Sequence, residues 1–288
     1  AATLMAHTSL GTAPIVMFGT EEQKEKYLPG LASGEKIGAF GLTEPNAGSD
    51  AGNTQTRAVL DGEQYIVNGE KAFCTNAGVS SVLIFTAVIV ENGKENGISA
   101  FVVESDTEGI SFNPPEKKMG WCASDTRSVF FKDMCIPKSA ILGNPEKGFK
   151  QFLQTLTSGR ITIGALSIGT AQGAFDKALA YSQEREAFGK SINRFQGVSF
   201  KLSDMATQIE ASRHLVYHAA WIKDQGLPAI REASMAKLFS SETAMKVTTE
   251  AIQVFGGYGY IKEYDVERFF RDAKILEIGE GTSEIQRM

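Results

Sequence analysis

Apolar residues between positions 195 and 225 recur at steps of three and four, the spacing that places them on one face of a helix. This apolar stripe consists of Phe195, Val198, Leu202, Met205 and Ile209. The same period predicts flanking helices over about 148–187 and 229–255, separated from the middle one by short links. Long helices with short links are typical of an up-and-down bundle, so we predict a helical domain over residues 148–288.

Residues 36–147 have the pattern of β-strands. Val82–Val90 is the longest apolar run, too short to cross a bilayer as a helix and typical of a buried strand. Asp61-Gly62 and Asn68-Gly69 are hairpin-turn signals, and around them Tyr65 and Val67 alternate with polar residues. The other strand candidates are 72–75, 98–103 and 128–131. We therefore predict an antiparallel β domain over residues 36–147.

Residues 1–35 are predicted to be helical. Thr20 and Gln23 have capping-box spacing ahead of a helix that Pro29-Gly30 should end. Ser283 and Gln286 repeat that spacing near the other end of the chain. Because these first and last segments lack packing partners, we expect a piece of a longer α+β protein with domains at 1–35, 36–147 and 148–288.

Composition excludes some classes of function. With 42% hydrophobic and 22% charged residues, the chain has the composition of a soluble globular protein. A net charge of −5 argues against a nucleic-acid partner. Three scattered cysteines form no metal-binding pattern, and His214 and His218 lack further ligands nearby, so a helix surface is favoured there. We expect an intracellular protein, of a bacterial cytoplasm or a mitochondrial matrix, with no membrane span.

Glu280 is the first candidate for chemistry, because it stands between two glycines in Ile278-Gly279-Glu280-Gly281-Thr282. Glycines on both sides remove side-chain bulk and permit unusual backbone angles. A carboxylate displayed in this way can approach a bound substrate closely.

A second candidate is the loop Phe40–Asp50, which contains Thr43, Gly48 and Ser49. Hydroxyls and the backbone amides of such a loop can bind a ring edge or a pyrophosphate. Taken alone, Glu44-Pro45-Asn46-Ala47-Gly48-Ser49 is equally a good turn.

Together, and in this order, the two segments resemble the flavin-binding signature and the catalytic-base segment of the acyl-CoA dehydrogenases. The resemblance covers nearly the whole chain and is nearest to short-chain, butyryl-type members. It implies an N-terminal helical part, a middle β domain and a C-terminal four-helix bundle. It also implies FAD as cofactor and Glu280 as catalytic base, since Gly159 stands about where branched-chain relatives place theirs.

The resemblance implies a set of cofactor-binding residues. Phe73 replaces a frequent Trp, keeping a stacking face without its N–H donor. Arg185 and Phe188 belong to Arg-x-x-Phe-Gly-Lys, and Gln253 opens a second signature. Both motifs reach the FAD of a neighbouring subunit in the family, which implies a homotetramer built as a pair of dimers. The implied FAD contacts are Phe40, Leu42, Thr43, Gly48, Ser49, Phe73, Thr75, Arg185, Phe188, Gln196, Gln253, Gly256, Gly257, Thr282 and Glu284.

Ser49, Thr157, Arg160 and Gly281 are implied to contact the acyl-CoA. Thr157 stands where many members have Asp, whereas Arg160 matches. The implied reaction belongs to fatty-acid β-oxidation. Glu280 removes the α-proton, flavin N5 takes the β-hydride, and the product is a trans-2-enoyl-CoA.

Three functions remain open from the sequence. The first is a dehydrogenase that passes electrons to an electron-transferring flavoprotein. The second is an acyl-CoA oxidase, or a related flavin oxidase or monooxygenase of the same fold. The third is a non-catalytic helical interaction protein, against which Glu280 and the flavin signature both argue.

Overall fold

The computed structural model describes residues 1–288, apart from the side chain of Glu146. Its internal contacts divide the chain into two compact units. The first comprises residues 1–118 and 122–156, and the second comprises 119–121 and 157–288. The first unit includes both the N-terminal helices and the sheet, so the three-domain boundaries given above stay a prediction.

The first unit begins with helices α1 (Ala2–Met5), α2 (Ala13–Phe18) and α3 (Glu21–Ser33), with a π-helical segment at Ala6–Thr12. Thr20 forms the predicted capping box with Gln23 through bonds of 3.2 and 3.1 Å.

The prediction that Pro29-Gly30 ends helix α3 is wrong. The helix continues through Pro29 because Tyr27 and Leu31 are buried on either side of it. It ends instead at Gly34, whose φ of 80° is the left-handed conformation that commonly closes helices.

Eight strands among the described residues form one sheet in the order β6-β7-β3-β2-β4-β5-β8, with β1 also paired to β4. The strands are β1 (Gly38–Gly41), β2 (Arg57–Asp61), β3 (Gln64–Thr75), β4 (Val82–Glu91), β5 (Lys94–Glu104), β6 (Ile110–Phe112), β7 (Thr126–Pro137) and β8 (Ile141–Leu142). The sheet is mixed rather than wholly antiparallel, because β1 and β2 both run parallel to β4.

The two parallel strands share one edge of β4. β1 pairs with residues 82–85 of β4, and β2 pairs with residues 88–90. The chain between them, residues 42–56, therefore leaves the sheet as a loop and returns to the same edge. This loop contains most of the segment predicted to bind flavin.

Strand β4 is the predicted buried strand, and it is covered on both faces. Leu83 and Phe85 belong to one hydrophobic cluster, and Val82 and Ile84 belong to another. Because successive side chains of a strand point to opposite faces, burial on both faces favours a nearly continuous apolar run, here interrupted by Thr86. Helices α2 and α3 cover the second face with Ile15, Tyr27 and Leu31.

Of the two predicted hairpin turns, one is confirmed. Gly62 lies in the turn between β2 and β3, with Asp61 paired to Gln64. The turn predicted at Asn68-Gly69 is wrong, since both residues lie inside β3 at a shift in its pairing with β7. A Cβ at Gly69 would lie only 2.6 Å from Oγ1 of Thr56. The glycine there permits a close approach between neighbouring strands rather than a turn.

Helices dominate the second unit. The long ones are α4 (Gly148–Glu184), which belongs to this unit from residue 157 onward, α5 (Gln196–Asp224) and α6 (Ile230–Phe255). All three lie within a few residues of their predicted bounds. Between α4 and α5, β9 (Glu186–Ala187) and β10 (Lys190–Ser191) form a hairpin with Phe188-Gly189 at its tip. Two short helices follow, α7 (Val266–Ala273) and α8 (Ser283–Arg287).

The capping residue of α8 is Thr282 rather than Ser283, so the predicted start is wrong by one residue. Thr282 Oγ1 accepts from the backbone N–H of Ile285 at 3.4 Å, whereas the Ser283 side chain is buried.

No helix in the described part of the chain is both long enough and apolar enough to cross a membrane.

Candidate active site

Glu280 lies in the second unit, on the short loop that joins α7 and its following 3-10 turn to α8. Its φ is 53° and that of Gly281 is 95°, so two consecutive residues have left-handed backbone. That conformation is unfavourable for a residue with a side chain and persists only where its surroundings enforce it. The glycine after Glu280 thus has the conformational role expected from the sequence.

The Glu280 carboxylate is buried, and neither of its oxygens has a hydrogen-bond partner among the described residues. Burial raises the pKa of Glu280 to about 8, although the charges of Lys237 and Arg160 oppose the shift. An unpaired buried carboxylate of this kind lowers the stability of the fold and is typical of a ligand-binding or catalytic site.

Helix α4 leaves room for this carboxylate at Gly159. A Cβ at Gly159 would lie 1.6 Å from Oε2 of Glu280, so no side chain could stand there without moving the glutamate. The neighbouring Arg160 donates from Nη1 to Oγ of Ser234 at 2.9 Å. Its Nε is buried and has no partner in the part of the chain that the structure describes. Thr157 lies on the same helix and is half-buried.

Sequence reasoning missed Lys237. This residue of α6 is fully buried, and its Nζ donates to the carbonyl of Gly281 at 2.7 Å. Its helical spacing from Ala233, Ser240 and Ala244, which are all buried, places it on the inward face of α6. A lysine on an otherwise small-residue face was the signal available in the sequence.

In the first unit, the predicted flavin loop is held from inside by a second buried lysine that sequence reasoning also missed. Lys71 on β3 is 0% exposed and pairs at 2.6 Å with Glu44, which is 4% exposed. Lys71 also donates to the carbonyl of Leu42 at 3.3 Å and to Thr86 Oγ1 at 3.1 Å.

The Glu44 carboxylate completes this network from the loop side. It accepts from the backbone N–H groups of Gln55 and Thr56 at 2.6 and 3.1 Å. Burial opposes ionisation of Glu44, but the Lys71 ammonium and these donors outweigh it and lower its pKa. Both ends of the loop are therefore tied to one buried ion pair, while Gly48 and Ser49 at its outer part are exposed.

Phe73 is turned outward by an irregularity in β3. The pairing of β3 with β7 shifts between Lys71 and Cys74, and Phe73 there has φ 55° and 68% exposure. Lys71 and Cys74 point inward on either side of it, and Thr75 is half-buried. An exposed aromatic ring on a strained backbone is a feature that a stacked ligand would explain.

A cavity of about 410 Å³ in the second unit brings together three of the predicted cofactor residues, Arg185, Gly256 and Gly257. Tyr181 and Tyr258 also line it, and the Arg185 guanidinium lies 5.6 Å from the centre of the Tyr258 ring. Gln196 and Gln253 are exposed and are not part of its lining. Phe188 stands at the tip of its hairpin with 96% exposure. Also in this unit, Thr282 caps α8 and Glu284 is an exposed residue of its first turn. Phe40 and Thr43, in the first unit, are half-buried.

Models of the three domains of acyl-CoA dehydrogenases match this sequence: the N-terminal domain over residues 1–35, the middle domain over 39–134 and the C-terminal domain over 146–288. A short-chain-specific acyl-CoA dehydrogenase of Clostridium acetobutylicum is 50% identical over 285 residues, which are 99% of this chain and 75% of that protein. A subunit of a caffeyl-CoA reductase–Etf complex of Acetobacterium woodii is 45% identical over 285 residues, which are 99% of this chain and 75% of that protein.

Solved structures of acyl-CoA dehydrogenases have the same fold as this chain. Butyryl-CoA dehydrogenase from Megasphaera elsdenii superimposes with a TM-score of 0.97 at 48% identity, covering 100% of this chain and 75% of that one. An acyl-CoA dehydrogenase from Bacillus anthracis complexed with FAD superimposes with a TM-score of 0.94 at 39% identity. The match covers 99% of this chain and 52% of that one. The fold and the comparisons define an FAD-dependent oxidoreductase. The chain belongs to the acyl-CoA dehydrogenase family.

Proposed function

We propose that this enzyme removes two hydrogens from the α and β carbons of a short-chain acyl-CoA, with Glu280 as the base that takes the α-proton. The observation that carries the proposal is the Glu280 carboxylate itself. It is buried, it has no partner among the described residues, and its pKa is raised to about 8. The names of the butyryl-CoA and short-chain-specific relatives support the choice of substrate.

The environment of Glu280 suits the difficulty of the reaction. The α-proton of a thioester is far too weakly acidic for an ordinary carboxylate in water, so the base must be strengthened. Burial does this, because a desolvated carboxylate binds a proton more tightly. The backbone N–H of Glu280 is proposed to donate to the thioester oxygen and to stabilise the enolate that forms as the proton leaves.

The two hydrogens leave in different forms. The α-hydrogen goes to Glu280 as a proton, and the product is a trans-2-enoyl-CoA. FAD, when bound, supplies the acceptor for the β-hydrogen, which leaves as hydride. The protein contributes orientation and exclusion of water.

The residues present fit FAD. The outward Phe73 offers a stacking face for the isoalloxazine ring, and the exposed Gly48-Ser49 backbone leaves room for a close approach. A Cβ at Gly256 or Gly257 would meet nothing within 4 Å, so a phosphate could approach that backbone. Arg185 beside them adds a planar cation suited to phosphate oxygens.

We further propose that Arg185, Phe188, Gly256 and Gly257 serve the FAD of a second copy of this chain, in a homotetramer. The support is the resemblance of Arg185-Glu186-Ala187-Phe188-Gly189-Lys190 to the family motif that reaches a neighbouring subunit's FAD, together with the 96% exposure of Phe188 on a hairpin tip.

Replacing Arg185 by Ala is expected to weaken FAD binding about 10- to 100-fold, the worth of one charge-assisted hydrogen bond. Titration of the apoprotein with FAD, followed by flavin fluorescence, measures this. Arg231→Ala is the matched control, because Arg231 is exposed and pairs only with Glu232 among the described residues. Unchanged FAD affinity in the Arg185 variant would contradict the assignment. So would a monomer in sedimentation that holds FAD at full affinity.

The proposed reaction is tested by mixing the FAD-loaded enzyme with acyl-CoA thioesters of increasing chain length in the absence of oxygen. We expect loss of the oxidised-flavin absorbance, fastest with the four-carbon thioester. No bleaching with any thioester would overturn the proposal.

A second step distinguishes the two candidate electron acceptors. In it, air or an electron-transferring flavoprotein is added to the reduced enzyme. We expect fast reoxidation by the flavoprotein and slow reoxidation by oxygen. The Etf complex that contains the relative from Acetobacterium woodii favours this outcome. Fast reaction with oxygen would make the enzyme an oxidase.

A further inference from the structure

Lys237 is an unusual residue for the interior of a helical unit. It is 0% exposed, and Ala233, Ala236 and Ser241 are buried around it on α6. An ammonium group is costly to bury unless it is paired or hydrogen-bonded. An apolar side chain of similar length would fill the same space without that cost, so packing alone does not explain a lysine here.

The partner of Lys237 is the loop that holds Glu280. Nζ donates to the Gly281 carbonyl at 2.7 Å. A second side chain reaches the same loop from α8, where Gln286 Nε2 donates to the carbonyls of Glu280 and Gly281, both at 3.1 Å. The two peptide carbonyls that follow the Glu280 side chain are thus fixed by one charged and one neutral donor.

The hydrogen bonds from Lys237 and Gln286 hold a segment whose backbone conformation is unfavourable. Glu280 and Gly281 are the two consecutive left-handed residues, and a loop without enforcing contacts would relax from that conformation. A change in the backbone at Glu280 would swing its carboxylate away from the space beside Gly159.

Lys237 also acts through its charge. Charged groups that face it are Glu280 and Glu277 from the loop side, Glu242 from α6 and Arg160 from α4. Burial lowers the pKa of Lys237 to about 8, against the raising effect of the glutamates. Its positive charge in turn favours the ionised form of Glu280, as does that of Arg160.

We propose that Lys237 is a positioning residue for the base. Its ammonium group fixes the Gly281 carbonyl, so that Glu280 faces Gly159, and its charge favours the ionised form of the buried Glu280 carboxylate. This inference rests on the proposed role of Glu280.

Two variants separate the charge of Lys237 from its hydrogen bond. Lys237→Met removes both with little change in length, whereas Gln286→Leu removes only neutral donors to the same carbonyls. The ionisation of Glu280 is read directly in the FAD-loaded enzyme, as the infrared carboxyl band that appears on acidification and is missing in Glu280→Gln. The titration covers a pH range on both sides of about 8.

We expect Lys237→Met to move the midpoint of that band upward by about one pH unit, a tenfold change in the ratio of protonated to ionised Glu280. The Gln286→Leu midpoint should stay near that of the wild type, while both variants reduce flavin more slowly at saturating acyl-CoA. Lys246→Met, on the exposed side of α6, should change neither quantity. If Lys237→Met fails to fold, Lys237→Gln removes the charge while retaining a polar group, and the same upward shift is expected.

An unchanged midpoint and an unchanged reduction rate in the folded Lys237 variant would overturn this inference alone. Because the band reports ionisation and not turnover, its midpoint can be measured whether or not Glu280 is the base. If Glu280→Gln itself kept full flavin reduction, the proposed function would fail instead.

Discussion

Replacing Glu280 by Gln is expected to slow flavin reduction by acyl-CoA more than about 100-fold while FAD and the thioester remain bound. Glutamine has nearly the same shape but cannot accept the α-proton. The loss should exceed that of an auxiliary base, because here the proton acceptor is also a reactant. Anaerobic stopped-flow absorbance measures the rate. A variant that bleaches at nearly the wild-type rate would remove Glu280 from the mechanism.

The wild-type rate should also depend on pH in a defined direction. Only ionised Glu280 can take a proton, and its pKa is raised to about 8 by burial. At subsaturating acyl-CoA the rate should therefore rise with pH and level off above about 8. The control is Glu210→Gln, which removes a carboxylate from the exposed surface of α5 and should leave both rate and profile unchanged.

Replacing Lys71 by Met is expected to destabilise the folded enzyme by about 3–5 kcal/mol, the usual cost of leaving a buried partner charge unpaired. Glu44 would retain two backbone donors but lose the ammonium at 2.6 Å. Since Glu44 and the Leu42 carbonyl belong to the predicted flavin loop, FAD binding should weaken as well. Chemical denaturation of the apoprotein measures the first effect, and FAD titration measures the second.

Two further variants test whether the buried charge causes this loss. Lys71→Met combined with Glu44→Gln should recover part of the stability, because the neutral amide oxygen can still accept from the backbone. Lys138→Met breaks an exposed pair with Glu63 in the same unit and should cost about 0–1 kcal/mol. Equal losses in the Lys71 and Lys138 variants would contradict the importance of burial.

The sequence predicted the elements whose signals are local. The three long helices follow from apolar spacing, and the capping box at Thr20 and the turn at Gly62 follow from short motifs. Pro29 and Gly69 were misread because distant contacts, not local preference, decide their surroundings. The parallel pairing of β1 and β2 with one edge of β4 likewise depends on residues far apart in the chain.

In the candidate site, too, residues within local motifs were predicted and residues positioned by distant contacts were not. Glu280 and the Phe40–Asp50 loop were found from motifs, and their roles stay predictions. The buried lysines 71 and 237 were missed, because a lysine in a strand or helix ordinarily lies at the surface. Only the folded chain shows that each points inward to a backbone carbonyl near a predicted functional segment.

The absence of a side chain at Gly159 restricts how the base of this enzyme can move during evolution. A glutamate carried by α4 at position 159 and one carried by the loop at position 280 would compete for the same volume, since even a Cβ at Gly159 meets Oε2 of Glu280 at 1.6 Å. Exchanging the two positions one substitution at a time passes either through a protein with no acid there or through one with two crowded acids. The first intermediate lacks a base, and the second is disfavoured by steric clash and like charge. The position of the acid is therefore difficult to change by single substitutions, and moving it requires simultaneous changes at two distant positions in the gene.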